Sequence, residues 1–272
     1  MKLSIRHTTH YAFREPVVHA LQRLRLTPKA TQGQSILKWD MQYDNAHAEL
    51  EYDDQNFNTV TLIAVEPGAS EVTVTCTGEV ETQDKAGVIG QHSGHMPLWS
   101  FLGQTKLTKP GPKLRALIRD LDAPKDSAKL DFLHALSARI GGDVTYETGT
   151  THASTTAEEA VDHGRGVCQD HAHIFIGAAR AADIPARYVS GYLMMNDRIE
   201  QEATHAWAEA HIEGLGWVGF DVSNGISPDP RYVRVATGRD YRDAAPVTGI
   251  SFGSTEQVLT VGVAVEQQAE SQ

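Results

Sequence analysis

Val72, Val74 and Cys76 alternate with Glu71, Thr73, Thr75 and Thr77, and no other feature restricts the fold of this chain as much as this two-residue period. Successive side chains of a β-strand point to opposite faces, so an apolar residue at every second position marks a strand half-buried against a core. Leu37, Trp39, Met41 and Tyr43 repeat the pattern against Lys38, Asp40 and Gln42. Val60, Leu62 and Ala64 repeat it after the turn-rich Asp53-Asp54-Gln55-Asn56, and Pro67-Gly68 supplies the next turn. Residues 1–82 therefore read as an antiparallel β-domain, either a sandwich or a curled sheet.

The period changes after residue 82. Residues 83–112 are rich in Gly, Gln, His, Pro and Lys and read as a connector lying over the surface. Leu114, Leu117, Ile118 and Leu121 recur at helical spacing. So do Leu130, Leu133, His134 and Ile140, behind a cap at Asp126 or Ser127 and before a stop at Gly141-Gly142. Tyr232–Ala236 and Gln257–Val265 read as closing strands, and the tail from Gln267 is polar. The fold class is α+β: an N-terminal antiparallel β-domain at 1–82, then a connector and a second unit with C-terminal strands at 83–272.

Composition excludes several classes of function. The 272 residues carry 24 Lys+Arg against 35 Asp+Glu, a net charge of −11, which is the wrong sign for a general nucleic-acid binder. No apolar run approaches the roughly 20 residues of a membrane span, and the alternating N-terminus does not resemble a secretory signal. Cys76 and Cys168 are the two cysteines, too few for a disulfide framework, so a reducing cytoplasm is the expected compartment. Cys76 continues the apolar face of Val72 and Val74 and reads as core.

The chemistry concentrates between Thr155 and Asn224. Thr156-Ala157-Glu158-Glu159 has the form of a capping box, opening a short helix that runs to about Asp162. After the glycines of His163-Gly164-Arg165-Gly166, Cys168, Ala172, Phe175, Ala179 and Ala182 share one helical face, and Ile184-Pro185 ends the run. Cys168 thus falls in the first turn of a helix, where backbone N–H groups and the macrodipole favour an anion such as a thiolate. Further on, His205, Trp207, Glu209 and His211 alternate with Ala206, Ala208, Ala210 and Ile212. A turn at Glu213-Gly214-Leu215-Gly216 then leads into Trp217, Gly219 and Asp221. Folded at Gly214, this hairpin brings His205 and Asp221 within a residue or two of each other on one face. A nucleophile, a base and an acid that orients the base are the parts that cysteine nucleophilic catalysis requires.

Four segments carry a family resemblance: Gly166-Val167-Cys168-Gln169-Asp170-His171-Ala172-His173, Ile184-Pro185-Ala186-Arg187-Tyr188-Val189-Ser190-Gly191-Tyr192, Thr204-His205-Ala206-Trp207-Ala208-Glu209 and Gly216-Trp217-Val218-Gly219-Phe220-Asp221. Together they closely resemble the bacterial transglutaminase-like proteins. The resemblance implies a papain-like transglutaminase core, motifs at 155–224, with Cys168, His205 and Asp221 as its Cys-His-Asp triad. Tyr11-Ala12-Phe13-Arg14-Glu15-Pro16-Val17 and Leu24-Arg25-Leu26-Thr27-Pro28 resemble the N-terminal β-domain of one prokaryotic branch that includes cysteine proteases. Gly238-Arg239-Asp240-Tyr241, with Ala245-Pro246 and Gly249, resembles its C-terminal segment. Val222-Ser223-Asn224 stands where members often read Pro-Thr-Asn, which leaves the aspartate in place. The family includes cross-linkers, proteases and amidases, so membership leaves the reaction open.

The expected function is acyl transfer on an amide through a thioester at Cys168, with hydrolysis of a peptide or isopeptide bond preferred. The alternatives are protein-glutamine transglutamination with an amine acceptor, a non-catalytic peptide-binding module and a zinc hydrolase. The expected partner is a peptide or protein amide, and no cofactor is called for because thiol and imidazole suffice. The backbone N–H of Cys168 is the natural oxyanion donor, with the Gln169 side chain as a second candidate. Trp207 and Trp217 either line a substrate groove or pack in the core. Asp170 reads as a favourable first-turn carboxylate, and Arg165, His92 and His95 as solvated side chains. A metal site would need His171 with Cys168 and His205, yet neither an HExxH nor a CxxC pair is present. The expectation is no metal.

Overall fold

In the computed structural model, residues 1–119, 121, 129–252 and 257–268 are described; the expected cap at Asp126 or Ser127 and the tail beyond Gln268 lie outside them. The alternating N-terminal segment forms six strands: β1 (Lys2–Phe13), β2 (His19–Leu24), β3 (Gln34–Asp44), β4 (Ala46–Asp53), β5 (Thr59–Val65) and β6 (Glu71–Thr82). Their inward residues, among them Leu3, Ile5, Tyr11, Phe13, Val72, Val74, Cys76 and Val80, are buried. Each large apolar side chain so placed contributes roughly 1.5–3 kcal/mol. Leu37 departs from its expected place. A bulge between Ile36 and Lys38 breaks the pleat there, and Leu37 is left 47% exposed.

On β1 the inward face turns polar in the middle. His7 and Thr9 are buried, and they are satisfied rather than solvated. His7 Nδ1 lies 2.9 Å from the Tyr192 hydroxyl and its Nε2 lies 3.0 Å from Thr9 Oγ1. Burial pushes the His7 imidazole down to about 4, so the ring is neutral at pH 7.

The connector adds β7 (Val88–Gly90) and a 3₁₀ turn at Leu98–Leu102. There follow α1 (Pro112–Arg119), α2 (Lys129–Asp143), β8 (Thr145–Tyr146), α3 (Ala157–His163), β9 (Arg165–Gly166) and α4 (Cys168–Ala181). Then come β10 (Ala186–Leu193), β11 (Glu200–Gln201), β12 (His205–Ile212), β13 (Gly216–Phe220), β14 (Tyr232–Gly238), α5 (Tyr241–Ala244), β15 (Val247–Phe252) and β16 (Gln257–Gln267). A five-stranded sheet in the order β14-β10-β12-β13-β7 forms the floor of the second unit, with every residue of β10, β13 and β14 buried. Helix α4 packs on this sheet and is buried from Asp170 to Arg180. Gly177 makes the fit possible, because a Cβ there would stand 2.1 Å from the Thr108 carbonyl oxygen.

The two sandwich sheets run β11-β16-β1-β6-β3 and β15-β2-β5-β4. Of the expected closing strands, β14 joins the core sheet, whereas β16 completes the N-terminal sandwich by pairing along the whole of β1. The reason is that Val263 and Val265 extend the apolar face begun by Leu3 and Ile5, and one cluster of buried residues runs from that face through Val80 into α4 and the core sheet. The connector lies along the far edge of the core, where β7 pairs with β13 and Phe101 meets Trp217 edge-on at 5.3 Å. Among the described residues, no helix is long and apolar enough to cross a membrane.

Candidate active site

The approach to Cys168 is built from short-range hydrogen bonds. Thr156 caps α3 with both halves of a capping box, and Gly164 ends that helix in the left-handed conformation at φ 64°. Two residues of parallel pairing, β8 with β9, then carry the chain to Val167, which is extended, and Cys168 is the first residue of α4. Asp170 Oδ2 accepts from the Val167 N–H at 2.8 Å and from the Thr151 hydroxyl at 2.7 Å. Asp170 is 1% exposed with Oδ1 unpartnered, and burial raises its carboxyl above the usual range despite those bonds.

Strands β12 and β13 pair Ala208 with Phe220 and Ile212 with Gly216, a register that sets His205 and Asp221 diagonally across the end of the ladder. His205 Nε2 is 2.6 Å from Asp221 Oδ2. The same oxygen accepts from Asn224 Nδ2 at 2.7 Å and from the Tyr232 hydroxyl at 2.7 Å. Burial works against the charge on Asp221, but the bonds from His205, Asn224 and Tyr232 hold its carboxyl below the usual range. For His205 burial likewise opposes protonation. Hydrogen bonds to Asp221 and Cys168 outweigh it and push the imidazole up to about 10. With Nε2 given to Asp221, Nδ1 is left for the thiol. The imidazolium is thus held between a carboxylate and a cysteine sulfur, and that geometry can pass a proton between sulfur, imidazole and a bound group.

Cys168 and His205 open on a cleft of about 820 Å³, walled also by Tyr146, Gln169, Tyr188 and Met195. Gln169 lies in that wall. Trp207 does not, being 2% exposed and absent from the cleft wall. It stacks behind His205 at 6.1 Å and meets Tyr232 edge-on at 5.4 Å, so it supports the imidazole from the back. Trp217 is core as well, under the Arg187 guanidinium at 3.8 Å.

His171 is engaged by the fold, with Nδ1 at 2.9 Å from Ser223 Oγ and Nε2 at 3.0 Å from the Val144 carbonyl. His92, expected in solvent, instead donates to the Met96 carbonyl and accepts from Trp217 Nε1. His95 packs edge-on against Phe57 at 4.6 Å. Arg165 forms a surface pair with Glu147 at 3.5 Å. Sequence reasoning overlooked Tyr232 and gave Asn224 no part. Asn224, three residues after Asp221, carried a local signal as a turn amide that bonds back, whereas Tyr232 reaches Asp221 from a strand beyond the hairpin and carried none.

Residues 115–222 match the model of the transglutaminase-like superfamily, and residues 3–81 match that of the bacterial transglutaminase-like N-terminal region. An uncharacterized protein of Mycobacterium leprae is 27% identical over 98% of this chain and 99% of its own length. The uncharacterized protein Rv2569c of Mycobacterium tuberculosis is 29% identical over 96% of this chain and 91% of its own. A solved structure from Cytophaga hutchinsonii, described as a "putative cysteine protease", superposes with a TM-score of 0.75 at 22% identity and covers 98% of both chains, which shows the same fold. The chain thus combines a transglutaminase-like core with a bacterial transglutaminase-like N-terminal region.

Proposed function

We propose that the protein is a cysteine hydrolase that cleaves a peptide or isopeptide bond through a thioester on Cys168, with His205 as acid and base and Asp221 as the group that orients His205. The observation that carries this reading is the hydrogen-bonded chain from Asp221 through His205 to Cys168 at the wall of a cleft. The Cys168 sulfur, as thiolate, attacks the amide carbonyl carbon, and the carbonyl π pair moves onto oxygen. Collapse of that adduct expels the amine, which takes the proton from His205. Neutral His205 then takes a proton from water as its oxygen attacks the thioester. Release of the acid restores the thiolate and the imidazolium.

The substrate is a peptide or protein amide. The free thiols of Cys76 and Cys168 suit a reducing cytoplasm. Replacing Cys168 with Ala should abolish amine or ammonia release from a panel of peptide amides while leaving the circular dichroism spectrum unchanged; retained turnover would refute the reading. In the presence of a labelled primary amine, free acid as the main product supports hydrolysis. Predominant amine incorporation would reassign the reaction as transamidation.

A further inference from the structure

Tyr188 stands in the cleft wall with Cys168, and nothing said so far uses it. It lies in the middle of the core sheet, opposite Ala208 on β12 and Gly238 on β14, so its backbone is fixed from both sides. Its ring rests against His173 of α4 at 5.2 Å and against Tyr241 at 6.1 Å. The residue is 2% exposed, and its hydroxyl has no hydrogen-bond partner among the described residues. Trp207 Nε1 and His173 Nδ1 are orphaned and sealed, whereas Tyr188 lines the cleft. Burial disfavours ionisation of the phenol above all, and of the ionisable groups around it Cys168 acts on it most strongly. The phenol therefore stays protonated, a donor with no acceptor among the described residues. Tyr146 and Tyr241 also stand in the cleft wall; Tyr146 is half exposed on a two-residue strand and Tyr241 opens the four-residue α5, so neither is held within the core sheet as Tyr188 is.

We propose that the Tyr188 hydroxyl donates a hydrogen bond to the carbonyl oxygen of the acyl group under attack at Cys168, a second oxyanion donor beside the Cys168 backbone N–H. This rests on the acyl-transfer reading of the site. As sulfur adds to the carbonyl carbon, negative charge collects on the oxygen, and a neutral donor on a backbone fixed from both sides, in the wall of the same cleft, strengthens its bond as the charge grows. Tyr188 keeps its proton throughout. The proton delivered to the leaving group comes from His205.

The test compares two reactions of the same thiol. p-Nitrophenyl acetate acylates sulfur through a tetrahedral oxyanion, whereas iodoacetamide alkylates it by displacement at carbon with no oxyanion. Tyr188→Phe should slow release of p-nitrophenolate in the acylation burst about a hundredfold and leave the alkylation rate within about twofold. Unchanged acylation, or equal losses in both reactions, would overturn the assignment. A Cys168→Ala variant that releases p-nitrophenolate as fast as the wild type would instead sink the acyl-transfer reading itself.

Discussion

Lowering the pH from 7 to 5 should destabilise the protein through His7, and the burial of that ring sets the size of the effect. His7 is 1% exposed in the sandwich, and its imidazole is depressed from 6.5 to about 4. The unfolded chain binds a proton there below pH 6.5 and the folded chain does not, so stability present above pH 6.5 is lost progressively as the pH falls toward 4. For one site with these two values, the loss between pH 7 and pH 5 is about 2 kcal/mol, a sizeable share of the 5–15 kcal/mol typical of a domain. The residues that flank His7 across the sheet, Cys76 and Val263, carry no charge in this range to offset it, since burial pushes the Cys76 thiol up to about 12. His7→Gln retains a donor and an acceptor for Tyr192 and Thr9 but does not titrate. Urea unfolding of both proteins at pH 5, 6 and 7 gives the comparison. His173, buried and depressed to about 3, contributes equally to each and cancels in the difference. The variant should lose about 2 kcal/mol less than the wild type between pH 7 and 5. Parallel pH dependences would refute the claim that His7 is buried and neutral.

His205 is held protonated up to about pH 10, so a cation stays beside the Cys168 sulfur across the neutral range. Alkylation of Cys168 should therefore be fast at pH 6, at least tenfold slower in His205→Ala, and far ahead of labelling at the buried Cys76, all read by peptide mass spectrometry; equal rates with and without His205 would contradict the pairing. In the core sheet, Glu209 is fully buried between Arg187 and Arg234, with Nε contacts of 2.7 and 2.6 Å. Glu209→Gln leaves two buried guanidinium groups uncompensated and should cost about 3–5 kcal/mol in urea unfolding; a loss under about 1 kcal/mol would mean that the charge is dispensable.

The parts of the site that were legible in the sequence share a property: local periodicity determines them. The helix face through Cys168 and Ala172, the strand alternation from His205 to His211 and the turn at Gly214 fix where each side chain points, and the hairpin register does the rest. Tyr232 and Tyr188 were not legible as site residues because each reaches the site from a strand whose neighbours are set by the whole sheet. His92 was misread for a similar reason, since its partner Trp217 lies on the far side of the chain and no composition of a Gly-rich segment announces it. Gln257–Val265 was read correctly as a strand, but its sequence could not say which sheet it would join. Identical apolar faces suit either, and the choice went to the sheet whose face already shared the core.

That pairing has a consequence for how the molecule is made. Leu3 finds its partner at Gln267 and Leu24 finds its partner at Val247, so both N-terminal sheets wait for strands synthesised more than two hundred residues later. Contacts so distant along the chain slow folding, because the loop must close before they stabilise anything. During translation β1 and β2 each present an open edge, and the ribosome-bound chain is then most exposed to strand-adding association with other chains. A fragment ending before β15 would keep those edges open permanently, which makes the sandwich a product of the finished chain rather than a unit that folds ahead of it.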